Sequence, residues 1–234
     1  MKKFNLGISA CLTGRDVRYD GGKRLQADLI EALGKHAKFV EICPEYESGL
    51  GVPRETMDLF CDCPELRLIG KESQHDYFPL LEGFSKQKLH IVMDNFLCGF
   101  VLKSRSPSCG ISDAKIYNNM EEQQYYLASG VFASNLLQSF PFLPVASEED
   151  LKDEKQVKNF ILRARVMQEW WDFCETTDES CSLIEFHNMQ GGRLKKSPAL
   201  LRNAAEAMAM LSDRLPNNNN WQRYLDILMR CLKA

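Results

Sequence analysis

Three short apolar runs in the first half of the chain, Phe4 to Ala10, Lys38 to Ile42 and Cys98 to Lys103, each lead into a loop carrying one cysteine: Cys11, Cys43 and Cys109. Short apolar runs that alternate with amphipathic stretches are the pattern of an α/β fold, here a three-layer domain with a mainly parallel sheet. In an open parallel sheet, ligands collect in the crevice outside the carboxyl ends of the strands. Three cysteines distant in sequence are therefore expected to converge in space.

Residues 1–147 contain this alternation. A glycine-bearing loop (Gly14, Gly21, Gly22) separates the first strand from a helix expected over Leu25 to Lys35. Pro44 to Pro79, punctuated by Gly49, Gly51 and Pro53, reads as loop with short helical pieces. Helical spacing of Leu89, Val92, Met93 and Phe96 predicts a helix over Ser85 to Asn95, a second is expected over Glu121 to Gln138, and Phe140 to Val145 reads as a closing strand. From Ser147 the composition shifts. A capping-like Ser-Glu-Glu-Asp opens an all-helical region, residues 148–234, with further helices expected over Cys181 to Gln190, Pro198 to Leu211 and Trp221 to Leu232. Gly191 and Gly192 read as a break between two of them.

A net charge of −3 gives no general electrostatic footprint for long nucleic acid, so a small-molecule partner is expected. No apolar run approaches the roughly 18 residues that span a bilayer, and the start Met-Lys-Lys-Phe-Asn-Leu-Gly has no signal-peptide core, which together point to a cytoplasmic protein. With no sign of export, nine cysteines favour reduced thiols and metal ligation over a disulfide framework.

Three thiolates without a histidine in the same loops differ from a common structural zinc site, which uses four ligands and shows close Cys-x-x-Cys pairs. A cubane iron–sulfur cluster on three cysteines has one iron free of protein thiolate, able to bind a substrate sulfur. Two other readings stand beside it: a non-catalytic cluster- or metal-binding module whose helical half recruits a partner, and a sulfur-transfer enzyme with a persulfide on one cysteine and Cys61 or Cys63 as resolving thiol.

The segments Ser9-Ala-Cys-Leu-Thr-Gly with Arg18-Tyr-Asp-Gly-Gly, Cys43-Pro-Glu with Gly49, Pro53 and Arg54, and Phe100-Val-Leu-Lys-Ser-Arg-Ser-Pro-Ser-Cys-Gly, taken in order, resemble the thiouracil desulfidase family over residues 4–147. The resemblance implies a [4Fe–4S] cluster bound by Cys11, Cys43 and Cys109 that cleaves the C=S bond of a thiolated nucleobase without net redox change. It also implies Glu45 and a serine of the third motif as the acid–base groups. Ser106 is favoured among Ser104, Ser106 and Ser108 because Pro107 fixes the backbone directly after it. Glu45 has a plainer role open to it, as a helix cap or as the partner of Arg54 or Arg18, and Lys103 and Arg105 are candidates for offsetting the cluster's charge.

Leu183-Ile-Glu-Phe-His-Asn-Met-Gln, followed by Lys195, Lys196, Ser197 and Pro198, resembles in diluted, shortened form a helical domain of unknown function often fused to this desulfidase domain. It implies no catalytic residue. His187 is expected to be a core histidine, and Cys98, Cys174, Cys181 and Cys231 to pack in the interior. The adjacent Trp170 and Trp171 must point to different sides of a helix.

Overall fold

The computed structural model describes residues 2–22, 24–62, 65–118, 124–176, 183–195, 198–212 and 220–233. Its chain order is β1 (Phe4–Ser9), α1 (Ala27–Gly34), β2 (Ala37–Ile42), β3 (Met57–Asp62), β4 (Glu65–Gly70), α2 (Phe78–Lys88), α3 (Ile91–Asp94), β5 (Leu97–Leu102), β6 (Ala114–Tyr117), β7 (Tyr125–Ala128), α4 (Val131–Ser139), β8 (Val145–Ser147), α5 (Glu154–Thr176), α6 (Leu183–Leu194), α7 (Ala199–Ser212) and α8 (Asn220–Lys233). Strands β2, β1, β5 and β8 lie side by side in that order, every neighbouring pair parallel. Strand order reverses at β1, whose neighbours are β2 on one side and β5 on the other, so the topological switch point falls between them.

All six residues of β5 are buried, as a strand covered on both faces must be. On one face Gly99 approaches Phe160 of α5; on the other the Phe100 ring meets Phe132 of α4 edge-on at 5.7 Å. The three layers are therefore helix, sheet and helix, with α5 supplying one outer layer. Trp171 of α5 donates its indole N–H to the Leu97 carbonyl at 3.1 Å, while Trp170 stacks on Trp221 of α8. One continuous core runs from β1 and β5 through α5 to α8.

A second sheet, in the order β4-β3-β6-β7, was not legible in the sequence. Met57 and Leu59 of β3 turn inward against Leu81 of α2, and β3 pairs antiparallel with β4 within the segment expected to be mostly loop. Where one long helix was expected over 121–138, the described residues form β7 and then α4; residues 119–123 lie outside the description. The closing strand begins at Val145 rather than Phe140, because Pro141 and Pro144 have no N–H for a ladder. Asp150 accepts bonds from the Ser147 amide and hydroxyl, which makes Ser-Glu-Glu-Asp a turn, and α5 starts only at Glu154. Helix α6 continues through Gly191 and Gly192 to Leu194, since each glycine is tolerated in a helix at a cost of about 1 kcal/mol.

No helix among the described residues is long and apolar enough to cross a membrane. His187 is buried with its Nδ1 3.3 Å from the Tyr224 hydroxyl, a core role. Cys98 and Cys231 are buried as expected, but Cys174 is exposed on α5; Cys181 and Cys63 lie outside the described residues.

Candidate active site

The carboxyl end of every strand of the parallel sheet feeds one crevice. Cys11 lies in a single 3-10 turn (Ala10–Thr13) directly after β1. Gly14 closes that turn at φ 93°, a left-handed conformation in which a side chain would be strained, and its N–H reaches the Ala10 and Cys11 carbonyls. Cys43 follows β2 directly. Its amide donates to Glu47 Oε1 at 2.9 Å while the Glu47 amide donates to the Cys43 carbonyl, also at 2.9 Å. This reciprocal pair pins the turn, much as a capping box does.

Cys109 ends the loop that leaves β5, and that loop is held by α4. The Val131 and Ala133 amides donate to the Pro107 and Ser108 carbonyls at 3.0 and 3.1 Å. The open N–H groups of a helix start thus find their partners in the cysteine loop. At the root of the loop, Lys103 and Glu148, which leave the neighbouring strands β5 and β8, form a close ion pair. Glu148 is 4% exposed and also accepts from the Ser104 amide at 2.8 Å and the Ser104 hydroxyl at 2.7 Å.

The crevice is a cavity of about 630 Å³ whose lining includes Cys11, Cys43, Cys109, Glu45 and Ser106, with Met57 and Asp58 of β3 in the facing wall. Burial, with a further contribution from the nearby Cys43, pushes the Cys11 thiol up to about 11. Cys43 and Cys109 are pushed up as well, both chiefly by burial; for Cys109, Cys43 adds to the effect and a hydrogen bond from Ser9 opposes it. None of the three is an activated thiolate of the kind a persulfide carrier requires.

Glu45 sits two residues past Cys43 with its side chain 14% exposed. Its Oε2 accepts from Arg54 Nε at 3.0 Å and Arg54 Nη2 at 2.5 Å. Its Oε1 accepts from Ser108 Oγ at 2.7 Å and stands 3.5 Å from Ser106 Oγ. Ser106 Oγ in turn accepts the Ser108 and Cys109 amides, both at 3.1 Å. The three cysteines, Glu45 and Ser106 are thus brought to one cavity, whereas Cys61 on β3 is absent from its lining. Sequence reasoning did not single out Glu47 or Glu148; the Cys-x-x-x-Glu spacing could have found the first, but nothing local marks the second.

Three cysteines and a carboxylate thus share the crevice at the carboxyl end of a parallel sheet, the place where α/β enzymes bind their ligands. A model of the 2-thiouracil desulfurase family matches residues 6–149, and the chain belongs to that family. It is therefore an enzyme that cleaves a carbon–sulfur bond. Among solved structures, one described as a [4Fe-4S]-dependent thiouracil desulfidase, TudS, is 29% identical with a TM-score of 0.52, over 64% of this chain and 93% of that one. No curated protein matches significantly.

Proposed function

We propose that this chain hydrolyses the C=S bond of a thiolated nucleobase such as 2-thiouracil, on a [4Fe–4S] cluster held by Cys11, Cys43 and Cys109, with Glu45 and Ser106 as the proton-handling groups. The observation that carries the reading is the meeting of three thiols from three separate strand ends in one cavity with a fixed carboxylate. Support comes also from the [4Fe-4S] dependence of the similar desulfidase.

The donor set fits such a cluster. All three thiols line one cavity and lie close enough for their charges to interact, Cys43 with Cys11 and both with Cys109. Ligands of a cubane sit on different irons and stand farther apart than the ligands of one ion. When bound, a cluster with three protein thiolates supplies a Lewis-acidic iron with affinity for soft sulfur.

The overall change balances without an oxidant or reductant: C=S and water become C=O and hydrogen sulfide. Glu45, a residue of the cavity lining, takes the proton of the attacking water on Oε1 and returns it as sulfur leaves. Ser106, at the cavity surface, orients the water or the ring through its hydroxyl.

The test is anaerobic incubation of iron- and sulfide-loaded protein with 2-thiouracil and 4-thiouracil, following uracil and free sulfide together. Equal amounts of both products are expected. Uracil without sulfide, or no turnover by fully loaded protein, would refute the reading.

A further inference from the structure

We infer that Arg54 and Ser108 are positioning residues that clamp Glu45 from opposite sides and leave one direction on Oε1 for the reaction, an inference resting on the acid–base role proposed above for Glu45. A carboxylate offers about four acceptor directions. Two on Oε2 are taken by Arg54 Nε and Nη2, and one on Oε1 by Ser108 Oγ at 2.7 Å. The remaining direction of Oε1 meets only a long hydrogen bond from the Ser106 hydroxyl at 3.5 Å, a contact weak enough for an incoming water to displace, and Ser106 lines the cavity.

Each clamp residue is itself immobilised. Arg54 Nη1 donates to the Val17 carbonyl at 3.0 Å and the Gly51 carbonyl at 2.9 Å, and its side chain is 7% exposed. The guanidinium thus ties the loop after Cys11 to the turn after Cys43 while it grips the carboxylate. Ser108 has no exposure and is absent from the cavity lining, so it cannot touch a substrate; its carbonyl is fixed by the Ala133 amide of α4. The Ser108 hydroxyl, whose bond goes to Glu45, therefore acts through that carboxylate. Lysine would keep the charge of Arg54 but not its planar fork.

The test is a double-mutant cycle on cluster-loaded protein, read as kcat and KM for 2-thiouracil with iron and sulfide content measured for each variant. Ser108→Ala is expected to keep the cluster and KM and to lower kcat by about tenfold. In the Glu45→Gln background, Ser108→Ala and Arg54→Lys should change the residual single-turnover rate by less than about twofold, because they act through the group already removed. Equal factors in both backgrounds, or an unchanged kcat in Ser108→Ala, would overturn the clamp. Loss of iron in Ser108→Ala would do the same, by making its role purely structural; if Arg54→Lys fails to fold, Ser108→Ala alone decides. Full activity in the Glu45→Gln single variant would instead overturn the underlying reading.

Discussion

Burial pushes the thiols of Cys11, Cys43 and Cys109 above their ordinary value; Cys43 adds to the effect on Cys11 and Cys109, and Glu45 and Glu47 add to it on Cys43. Iron binds thiolate, so every ligand whose acidity is suppressed must give up a proton on loading. Loading is therefore expected to release protons and to strengthen as pH rises through the ordinary thiol value of 9.0 toward about 11, the raised value of Cys11. Anaerobic loading in weak buffer, followed by pH-stat, measures this; no proton release would contradict it. For Glu45, Glu45→Gln should keep the cluster while turnover falls about 100-fold or more, as for other general acid–base groups. Loss of iron from that variant would make Glu45 structural. At this scale the sequence was informative about residue type and poor about direction. Cys11, Cys43, Cys109, Glu45 and Ser106 were named from their motifs and all line the cavity, yet which serine hydroxyl turns toward Glu45 depends on loop torsions that α4 imposes from more than twenty residues away.

The elements carry the site through two contacts that local sequence does not display. Gly130 sits against the third cysteine loop: a Cβ there would lie 2.6 Å from the Pro107 carbonyl oxygen. With φ at −69° the backbone itself tolerates alanine, so the cost of Gly130→Ala is overpacking, about 1–3 kcal/mol. That variant is expected to lower both the melting temperature and the iron content, and a fully loaded, equally stable protein would contradict the contact. Glu55 is the second case. It accepts from the Glu72 amide, the Ser73 amide and hydroxyl and the Tyr77 hydroxyl, tying the β4–α2 connection to the segment that enters β3. These bonds, led by those from Ser73, lower its carboxyl from 4.5 to about 2. A depressed folded-state value means stabilisation present above about 4.5 and lost as pH falls toward about 2. Glu55→Gln should thus melt earlier than the parent at pH 7 and at the same temperature near pH 2; equal melting at pH 7 would refute this. The first three strands of the parallel sheet were legible because each is a short, mainly apolar run leading into a cysteine loop, whereas β8 was misplaced. The second sheet was hidden because β3 and β4 lie in a stretch crowded with charged residues, glycine and proline, where the period of two (Met57, Leu59 and Cys61, then Leu66 and Leu68) is short and broken between the strands.

Across the whole molecule, the helical half is both covering layer and extension. The family match ends at residue 149, yet α5 lies beyond it and forms one face of the three-layer core, with Phe160 at Gly99 and Trp171 bonded to Leu97. Truncation after Glu149 strips β5 of that cover. The shortened chain is expected to melt at a markedly lower temperature or aggregate, although every proposed cluster ligand is still present; equal stability would mean the helices are a separable appendage. The central claim is that three cysteines from three strand ends hold one cluster. Its most direct measurement is iron and acid-labile sulfide per chain, after anaerobic loading, for the parent and for Cys11→Ser, Cys43→Ser and Cys109→Ser. The parent should bind about four of each, and each substitution should abolish stable loading. A single iron per chain in the parent, or full loading in any one of the three variants, would contradict the account.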